Sequence, residues 1–232
     1  GETANAFTYT LNEGTKADNY TITTTEGTLT VTALTDKVTV TITENSGSEK
    51  YDGTEKIVTG YKVTNISNSL YTTDDFLFNG NDKVVGTDAG TYNMELKSAD
   101  FTNNSKNFSN VEFVIVDGTL EISKRTVTLT SLDSTKVYDG EALTNDEVTV
   151  SGDGFADGEG ASYDVTGTQT EVGSSVNAFT YILNEGTKAD NYEITKVDGT
   201  LTVTEMTAKV TVTITENSGS YMYDGAEHTA TG

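Results

Sequence analysis

The chain has 232 residues with 22 glycines, 12 tyrosines, no proline and no cysteine, and its formal net charge is −22 at pH 7. The absence of cysteine excludes disulfides and thiolate metal sites, and the acidic balance argues against binding to nucleic acid or anionic lipid. No apolar run of about 20 residues is present, so we expect no membrane insertion. Threonine and tyrosine favour strands, because branched and aromatic side chains fit a pleated surface.

Internal repetition organises the sequence. Residues 5–60 align without gaps to residues 177–232, and most of the aligned positions are identical. A Tyr-Asp-Gly motif also recurs, at intervals of 87 and 85 residues. The repeating unit is therefore a pair of unlike domains, which we call the first-type and the second-type repeat. The three copies of the motif are Tyr51-Asp52-Gly53, Tyr138-Asp139-Gly140 and Tyr223-Asp224-Gly225.

The alignment predicts four parts in chain order. Residues 1–35 match the C-terminal half of a second-type repeat, and residues 37–123 form a complete first-type repeat. Residues 124–205 form a complete second-type repeat, and residues 209–232 match the N-terminal part of another first-type repeat. We therefore expect this sequence to be a window of a longer tandem array.

Alternation of apolar residues with threonine predicts the strands that open and close each repeat, with the apolar side chains facing a core. These inward positions are Leu29, Val31, Val38, Val40, Ile42, Leu120, Ile122, Val127, Leu129, Leu201, Val203, Val210, Val212 and Ile214. Further strands are predicted at 55–65, 83–87, 91–97, 111–116, 147–151, 161–168, 177–183 and 192–196. The polar segments 66–82 and 98–110 are predicted to be loops.

This pattern predicts an all-β fold of tandem Ig-like, β-sandwich-like repeat domains joined end to end, because about seven short strands per repeat suit a sandwich. A β-grasp-like mixed domain is the alternative, should residues 98–110 form a helix. The joints between repeats contain neither glycine nor proline. They should therefore be stiff compared with a Gly/Ser linker.

The Tyr-Asp-Gly motif is typical of a tight turn, because glycine tolerates positive φ and aspartate can accept a hydrogen bond from nearby backbone. The tyrosine beside it is expected to pack on the core with its hydroxyl at the surface. A tyrosine that contacts a ligand is the alternative.

An acidic loop suggests one metal site. Residues 152–159 place Asp153, Asp157 and Glu159 among glycines, and calcium binds several oxygens at flexible spacing. The alternative is a plain solvated turn, and Asp74, Asp75 and Asp82 form a weaker group of the same kind. Since the chain has one histidine and no cysteine, we predict no enzyme activity and no cofactor beyond calcium.

Lys37 and Lys209 occupy matching strand starts. Some surface-protein repeats carry Lys–Asn isopeptide crosslinks, which need a buried lysine beside an acid. We expect both lysines to project into water instead.

Several short motifs carry a family resemblance. The strings KVYDGEA, YDGTEK, ADNYTI, ADNYEI, VDGTLEI and EGTLTVT resemble the YDG and MBG-type repeat domains of bacterial cell-surface proteins, notably from Firmicutes. The resemblance covers the whole chain and implies an extracellular all-β module at the cell surface or cell wall. It implies stalk or adhesin repeats and supplies no catalytic residues.

From this we predict a structural stalk or fibre that projects other domains, with neighbouring repeats of the same chain as its partners. One alternative is an adhesin that binds host glycan or mucin. Its platform would be the aromatic residues Tyr71, Phe76, Phe78, Tyr92 and Phe101. A third possibility is self-association of like chains through open strand edges such as 209–215.

Overall fold

A computed structural model describes residues 1–230, and it is all-β, as predicted. Helical structure in these residues is limited to 3-10 turns at Ala17–Asn19, Thr73–Asp75, Ser98–Asp100 and Ala189–Asn191, and none of them is long or apolar enough to span a bilayer. The strands are β1 (Glu2–Asn5), β2 (Gly27–Thr30), β3 (Val38–Glu44), β4 (Gly47–Lys50), β5 (Lys56–Thr59), β6 (Tyr61–Ile66), β7 (Phe76–Phe78), β8 (Lys83–Gly86), β9 (Gly90–Asn93), β10 (Phe101–Asn103), β11 (Val111–Val116), β12 (Thr119–Ser123), β13 (Arg125–Ser131), β14 (Ser134–Val137), β15 (Val148–Gly152), β16 (Ala161–Val165), β17 (Gly173–Asn177), β18 (Phe179–Leu183), β19 (Tyr192–Val197) and β20 (Gly199–Thr204).

The chain forms two compact units. Unit 1 comprises Gly1–Val127, Ser151–Ala161 and Leu183–Thr195. Unit 2 comprises Thr128–Val150, Ser162–Ile182 and the described residues from Lys196 onward. These units differ from the sequence repeats, since three segments of the second-type repeat, residues 124–127, 151–161 and 183–195, belong to unit 1.

Unit 1 contains two three-stranded sheets of mixed direction. In one sheet β3 lies between β11, to which it is parallel, and β6, to which it is antiparallel. In the other sheet β12 lies between β4, its parallel neighbour, and β9, its antiparallel neighbour. Three antiparallel pairs complete the unit, namely β1 with β2, β5 with β8 and β7 with β10.

The core of unit 1 sits between the inward faces of these sheets. The predicted inward residues of β3 and β12 are buried, which confirms the period-two pattern. The core also contains aromatic rings in edge-to-face and stacked contacts with one another, including Phe76 with Phe113 and Phe101 with Phe113. Aromatic pairs of this kind add to the free energy gained from burying their area.

Unit 2 contains the sheet in which β20 lies between β14 and β17, parallel to the first and antiparallel to the second. Leu201 and Val203 project from β20 into a small core with Leu143, and Tyr138 packs against it. Leu129 of β13 is also fully buried, as predicted.

Two predicted loops contain strands. The segments 66–82 and 98–110 include β7 and β10, which pair with each other from Phe101↔Phe78 to Asn103↔Phe76. The loop prediction was wrong there because apolar rings in a polar stretch recruit the short strands to the core. The predicted strand 55–65 is divided in two at Gly60, where φ is +86°.

The predicted core positions outside the complete repeats are exposed. Leu29 and Val31 lie at the surface, and so do Val210, Val212 and Ile214. The described residues from 209 onward contain no strand, so the prediction of an opening strand there was wrong. In the complete repeats the equivalent side chains are covered by neighbouring strands, and these terminal segments lack that cover.

Candidate functional site

A densely hydrogen-bonded polar site lies where the first-type repeat meets the second-type repeat. Strand β12 ends at Ser123 and β13 begins at Arg125, so only Lys124 separates them. We call the residues around this point the junction. They are Lys50, Tyr51, Asp88, Ala89, Arg125, Thr126, Asp153, Gly154, Phe155, Ala156, Glu159, Lys188, Asn191 and Tyr192, and all of them belong to unit 1.

The centre of the junction is a carboxylate held by two tyrosines. The Tyr51 hydroxyl donates to Oε1 of Glu159, and the Tyr192 hydroxyl donates to Oε2 at 2.6 Å. The two rings meet edge to face with their centroids 5.7 Å apart, and both tyrosines are buried. Tyr51 belongs to the first-type repeat, and Glu159 and Tyr192 belong to the second-type repeat, so this carboxyl group links the two repeats.

The tyrosines remain donors over the whole ordinary pH range. Burial raises the pKa of Tyr51 to about 12, and the hydrogen bond to Glu159 adds to the shift. The same two causes, in the same order, raise the pKa of Tyr192 to about 12. Both hydroxyls therefore keep their protons near neutral pH.

The acidic loop of the second-type repeat is fastened to Tyr192. The Ala156 amide donates to the Tyr192 hydroxyl at 2.9 Å, and the Phe155 ring lies 5.1 Å from the Tyr192 ring. Since Ala156 is buried, this loop is an ordered part of the junction.

A second group of contacts surrounds Asn191, which is fully buried. The Ala89 amide donates to its Oδ1 at 2.7 Å, and its Nδ2 donates to Oδ1 of Asp88 at 2.9 Å. Lys188 donates to the other oxygen of Asp88 at 2.7 Å. The Lys188 ammonium and then the Asn191 amide lower the pKa of Asp88, so this carboxylate stays ionised and bonded.

Arg125 closes the junction at the start of β13. Its guanidinium donates to the carbonyl oxygens of Gly154 at 2.8 Å and of Tyr51 at 3.3 Å, and also to that of Asp153. Guanidinium presents several donors in a rigid plane. Arg125 thereby ties the Tyr-Asp-Gly turn of one repeat to the acidic loop of the next.

The three acids predicted as calcium ligands have different environments. Asp153 accepts from Lys50 at 2.7 Å and from the amide and hydroxyl of Thr126, both at 2.9 Å. Glu159 is held by the two tyrosines, and Asp157 is exposed. Within residues 1–230, no group of three or more acidic or histidine side chains is arranged to hold a metal ion. In the weaker group, the Asp75 carboxylate accepts from the Thr72 amide at 2.8 Å.

All three Tyr-Asp-Gly motifs form the same turn. The glycines have φ of +82°, +85° and +78°, and each aspartate accepts from the amide two residues later, at 2.9 Å, 3.0 Å and 2.9 Å. The tyrosines differ. The Tyr51 hydroxyl lies on Glu159 rather than at the surface, contrary to the prediction, while Tyr138 packs beside the core of unit 2 and Tyr223 is fully exposed.

The aromatic residues predicted as a glycan platform belong largely to the core of unit 1. Tyr71, Phe76 and Phe101 are buried, and Phe78 and Tyr92 are partly buried. Phe78 contacts both Tyr61 and Phe101 with centroids 5.0 Å away. Tyr71, Phe76, Phe78 and Phe101 contact other aromatic rings of unit 1, so these four rings pack in its interior.

Lys37 forms a solvent-exposed ion pair with Glu112. Its ammonium lies 2.6 Å from Glu112, and both side chains are about half exposed. A crosslinking lysine needs a buried environment. Lys37 is instead half exposed, as expected for a lysine that projects into water. Lys209 is exposed as well.

Sequence reasoning missed most of the junction. It identified Tyr51 and the acids of the loop, but not Asp88, Arg125, Lys188 or Asn191. One signal was present, because Lys-Ala-Asp-Asn-Tyr occurs at 16–20 and again at 188–192. The recurrence marks a structural unit, but the partners of Asn191 lie about 100 positions away in the sequence.

Replacing Asp153 by asparagine is expected to reduce the loss of stability at low pH. Lys50, followed by Thr126, holds the pKa of the folded Asp153 carboxyl below its usual range, so its stabilising effect is complete above the unfolded pKa of about 4 and is lost as pH falls below it. Urea midpoints measured at pH 7 and pH 3 should therefore differ less in Asp153→Asn than in the parent. Asp157→Asn is the matched control. If the urea midpoints at pH 7 and pH 3 differ equally in the two variants, the Asp153 carboxylate does not stabilise the fold as inferred.

Comparisons of the chain with models of protein families, with curated proteins and with solved structures find no match. The resemblance to YDG and MBG-type repeats therefore stays a prediction from the motifs.

Proposed function

We propose that this chain is a structural segment of a long bacterial surface protein, in which β repeats joined end to end form a stiff, acidic, extracellular stalk that projects or spaces other domains. Neighbouring repeats of the same chain are its partners in this role. The observation that carries the proposal is the junction, where residues of the first-type and second-type repeats share a buried polar network around Glu159 and Asn191.

Three features of the junction favour stiffness. A single residue, Lys124, separates β12 from β13, whereas a flexible linker needs several residues free to rotate. Tyr51, Tyr192 and Asn191 are buried, so bending would expose them and break their hydrogen bonds. The contacts come from several directions, since Asp88, Arg125 and Glu159 lie in separate segments. A hinge would require all of these contacts to open together.

The charge suits the same role. A net charge of −22 keeps densely arranged chains soluble and mutually repelling. Repetition of near-identical segments suits a spacer, since each repeat then contacts only its neighbours and length is added unit by unit.

Inserting Gly-Gly-Ser between Ser123 and Lys124 is expected to loosen the junction. The chain has no cysteine, so spin labels on Lys62→Cys and Glu185→Cys, both at exposed positions of unit 1, report one distance across the junction. A flexible three-residue linker has an end-to-end spread on the order of 10 Å, and the distance distribution should broaden by a comparable amount.

The same insertion between Glu171 and Val172, in an exposed part of the second-type repeat, is the matched control and should leave the distribution narrow. If the distance distribution of the parent is already as broad as that of the variant with the insertion after Ser123, the stiff-stalk proposal is wrong.

A further inference from the structure

The opening strands of the two repeat types follow the same plan, so the junction residues of the second-type repeat have identifiable counterparts in the first-type repeat. Strands β3 and β13 both have seven residues. Their last residues, Glu44 and Ser131, each accept a hydrogen bond from the amide of a Gly-Thr-Leu glycine. Counting back along the two strands therefore places Val38 at the position of Arg125.

The loops beside these strands are matched by their hydrogen bonds. Asp153 accepts from the Thr126 amide at 2.9 Å, and its own amide donates to the Thr126 carbonyl at 2.8 Å. Ser67 has the same two bonds with Thr39, at 2.9 Å and 3.0 Å. Ser67 therefore occupies the position of Asp153.

The closing parts of the two repeat types also correspond. Residues 107–120 align without gaps to the stretch that begins at Lys188, and both segments end in Asp-Gly-Thr-Leu. The alignment places Asn107 at the position of Lys188 and Val111 at the position of Tyr192.

At these four positions the second-type residue contacts the first-type repeat through a charge or an aromatic ring. The four contacts are the Arg125 guanidinium with the Tyr51 carbonyl at 3.3 Å, Asp153 with Lys50 at 2.7 Å, Lys188 with Asp88 at 2.7 Å, and the Tyr192 ring with the Tyr51 ring at 5.7 Å. The first-type residues are valine, serine, asparagine and valine, which have neither a charge nor a ring. With them in place, the guanidinium bond, both ion pairs and the ring contact are lost.

We propose that the end of the first-type repeat formed by Lys50, Tyr51, Asp88 and Ala89 is a recognition surface that accepts a second-type repeat and rejects a first-type repeat. This inference rests on the proposed stalk function and accounts for the alternation of the two repeat types along the chain. A first-type repeat in that place leaves Asp88 without its ammonium partner and Tyr51 without its aromatic neighbour. Groups left unpaired by the wrong partner contribute to specificity together with the contacts made by the right one.

Comparison of the copies shows which contacts identify the repeat type. The other second-type segment keeps Lys-Ala-Asp-Asn-Tyr at 16–20, whereas the other first-type segment has Met222 in place of Lys50. The ion pair of Lys50 therefore varies between copies. Lys188 and Tyr192 are the residues by which the surface distinguishes a second-type repeat.

The test installs first-type residues at the junction of the full chain. Tyr192→Val and Lys188→Asn each give the second-type repeat the residue that the first-type repeat has there. The distance distribution between spin labels on Lys62→Cys and Glu185→Cys should broaden in both variants, and more in Tyr192→Val. Thr195→Val is the matched control, because it installs the first-type residue at an exposed position of the same strand outside the junction, and it should leave the distribution narrow.

A double-mutant cycle separates recognition from a general loss of stability. If the two tyrosines recognise each other, the combined effect of Tyr51→Ala and Tyr192→Val on the unfolding equilibrium constant should be smaller than the product of the single effects by about threefold or more, since contacting aromatic residues are coupled. Urea denaturation of the parent, the two single variants and the double variant measures the coupling.

The outcomes distinguish this inference from the stalk function. A distribution in Tyr192→Val as narrow as that of the parent, or single effects that multiply fully, would overturn the recognition proposal and leave the stiff stalk in place. Lys188 is exposed, so Lys188→Asn keeps the fold even if Tyr192→Val does not, and an unchanged distribution in Lys188→Asn would also overturn the proposal. A parent distribution that is already broad would overturn the stalk function and this inference together.

Discussion

Replacing Tyr51 by alanine is expected to lower the free energy of unfolding by about 3–5 kcal/mol, the range for removal of a buried aromatic ring. Tyr51 is 3% exposed, and its ring meets Tyr192 at 5.7 Å. The substitution leaves a cavity at the junction and removes one of the two tyrosine donors to Glu159. Urea denaturation followed by circular dichroism measures the change.

Two variants separate the parts of this effect. Tyr51→Phe keeps the ring and removes only the hydroxyl, so it should cost about 1–3 kcal/mol, the usual cost of removing one partner of a buried hydrogen bond. Tyr223→Ala removes the tyrosine of the same motif at a fully exposed position and should leave stability unchanged. Equal losses in Tyr51→Ala and Tyr223→Ala would mean that the junction does not stabilise the fold.

The second large effect is expected at Glu44, whose carboxylate is buried in unit 1 and 3% exposed. It accepts from the Leu96 amide at 2.6 Å and from the Gly118 amide at 2.7 Å. Glu44→Ala leaves both buried amides without their acceptor. Each unsatisfied donor costs about 1–3 kcal/mol, so a total loss of about 2–6 kcal/mol is expected in urea denaturation.

The chain also contains a matched control for the Glu44 substitution. Glu216 is the equivalent residue at the 172-residue offset, and it is exposed, so Glu216→Ala should have no effect on unfolding. Glu44→Gln keeps one acceptor oxygen and should lose less than Glu44→Ala. A Glu44→Ala variant as stable as the parent would show that water replaces the carboxylate.

Close approach of the backbone explains two copies of a glycine that recurs in the sequence. The string Gly-Thr-Leu occurs at 27, 118 and 199. A Cβ at Gly118 would meet the Asn45 carbonyl at 2.4 Å, and a Cβ at Gly199 would meet the Ser131 carbonyl at the same distance. The backbone of this strand start must approach another strand closely, and only glycine allows the approach.

The alternation of apolar and polar residues along the strands, with its period of two, was sufficient to predict much of the core. It identified β3, β12 and β20 and their inward residues, because alternation reports directly which side chains a sheet can bury. It failed at β7 and β10, where the strands are three residues long and the pattern has too few positions to be recognised. It failed also at Val210, Val212 and Ile214, because a pattern specifies which face is apolar but not whether a partner covers it.

The candidate site was predicted only in fragments. The Tyr-Asp-Gly turn was recognisable, since glycine with positive φ and an aspartate acceptor act within four residues. The acids of the loop 152–159 were noticed, but calcium was the ligand inferred for them. Their actual partners include Lys50 and Tyr51, which lie about 100 residues earlier and could not be identified from local spacing.

The sequence by itself therefore determined the all-β class, the inward faces of the long strands and the internal repetition, because these depend on side-chain periodicity and on identity between segments. The tertiary structure decided which copies of a repeated segment are buried and which acid meets which donor. Burial and hydrogen bonding depend on residues distant in the chain, so Tyr51 and Tyr223, or Leu201 and Leu29, differ in environment although their local sequences are nearly the same.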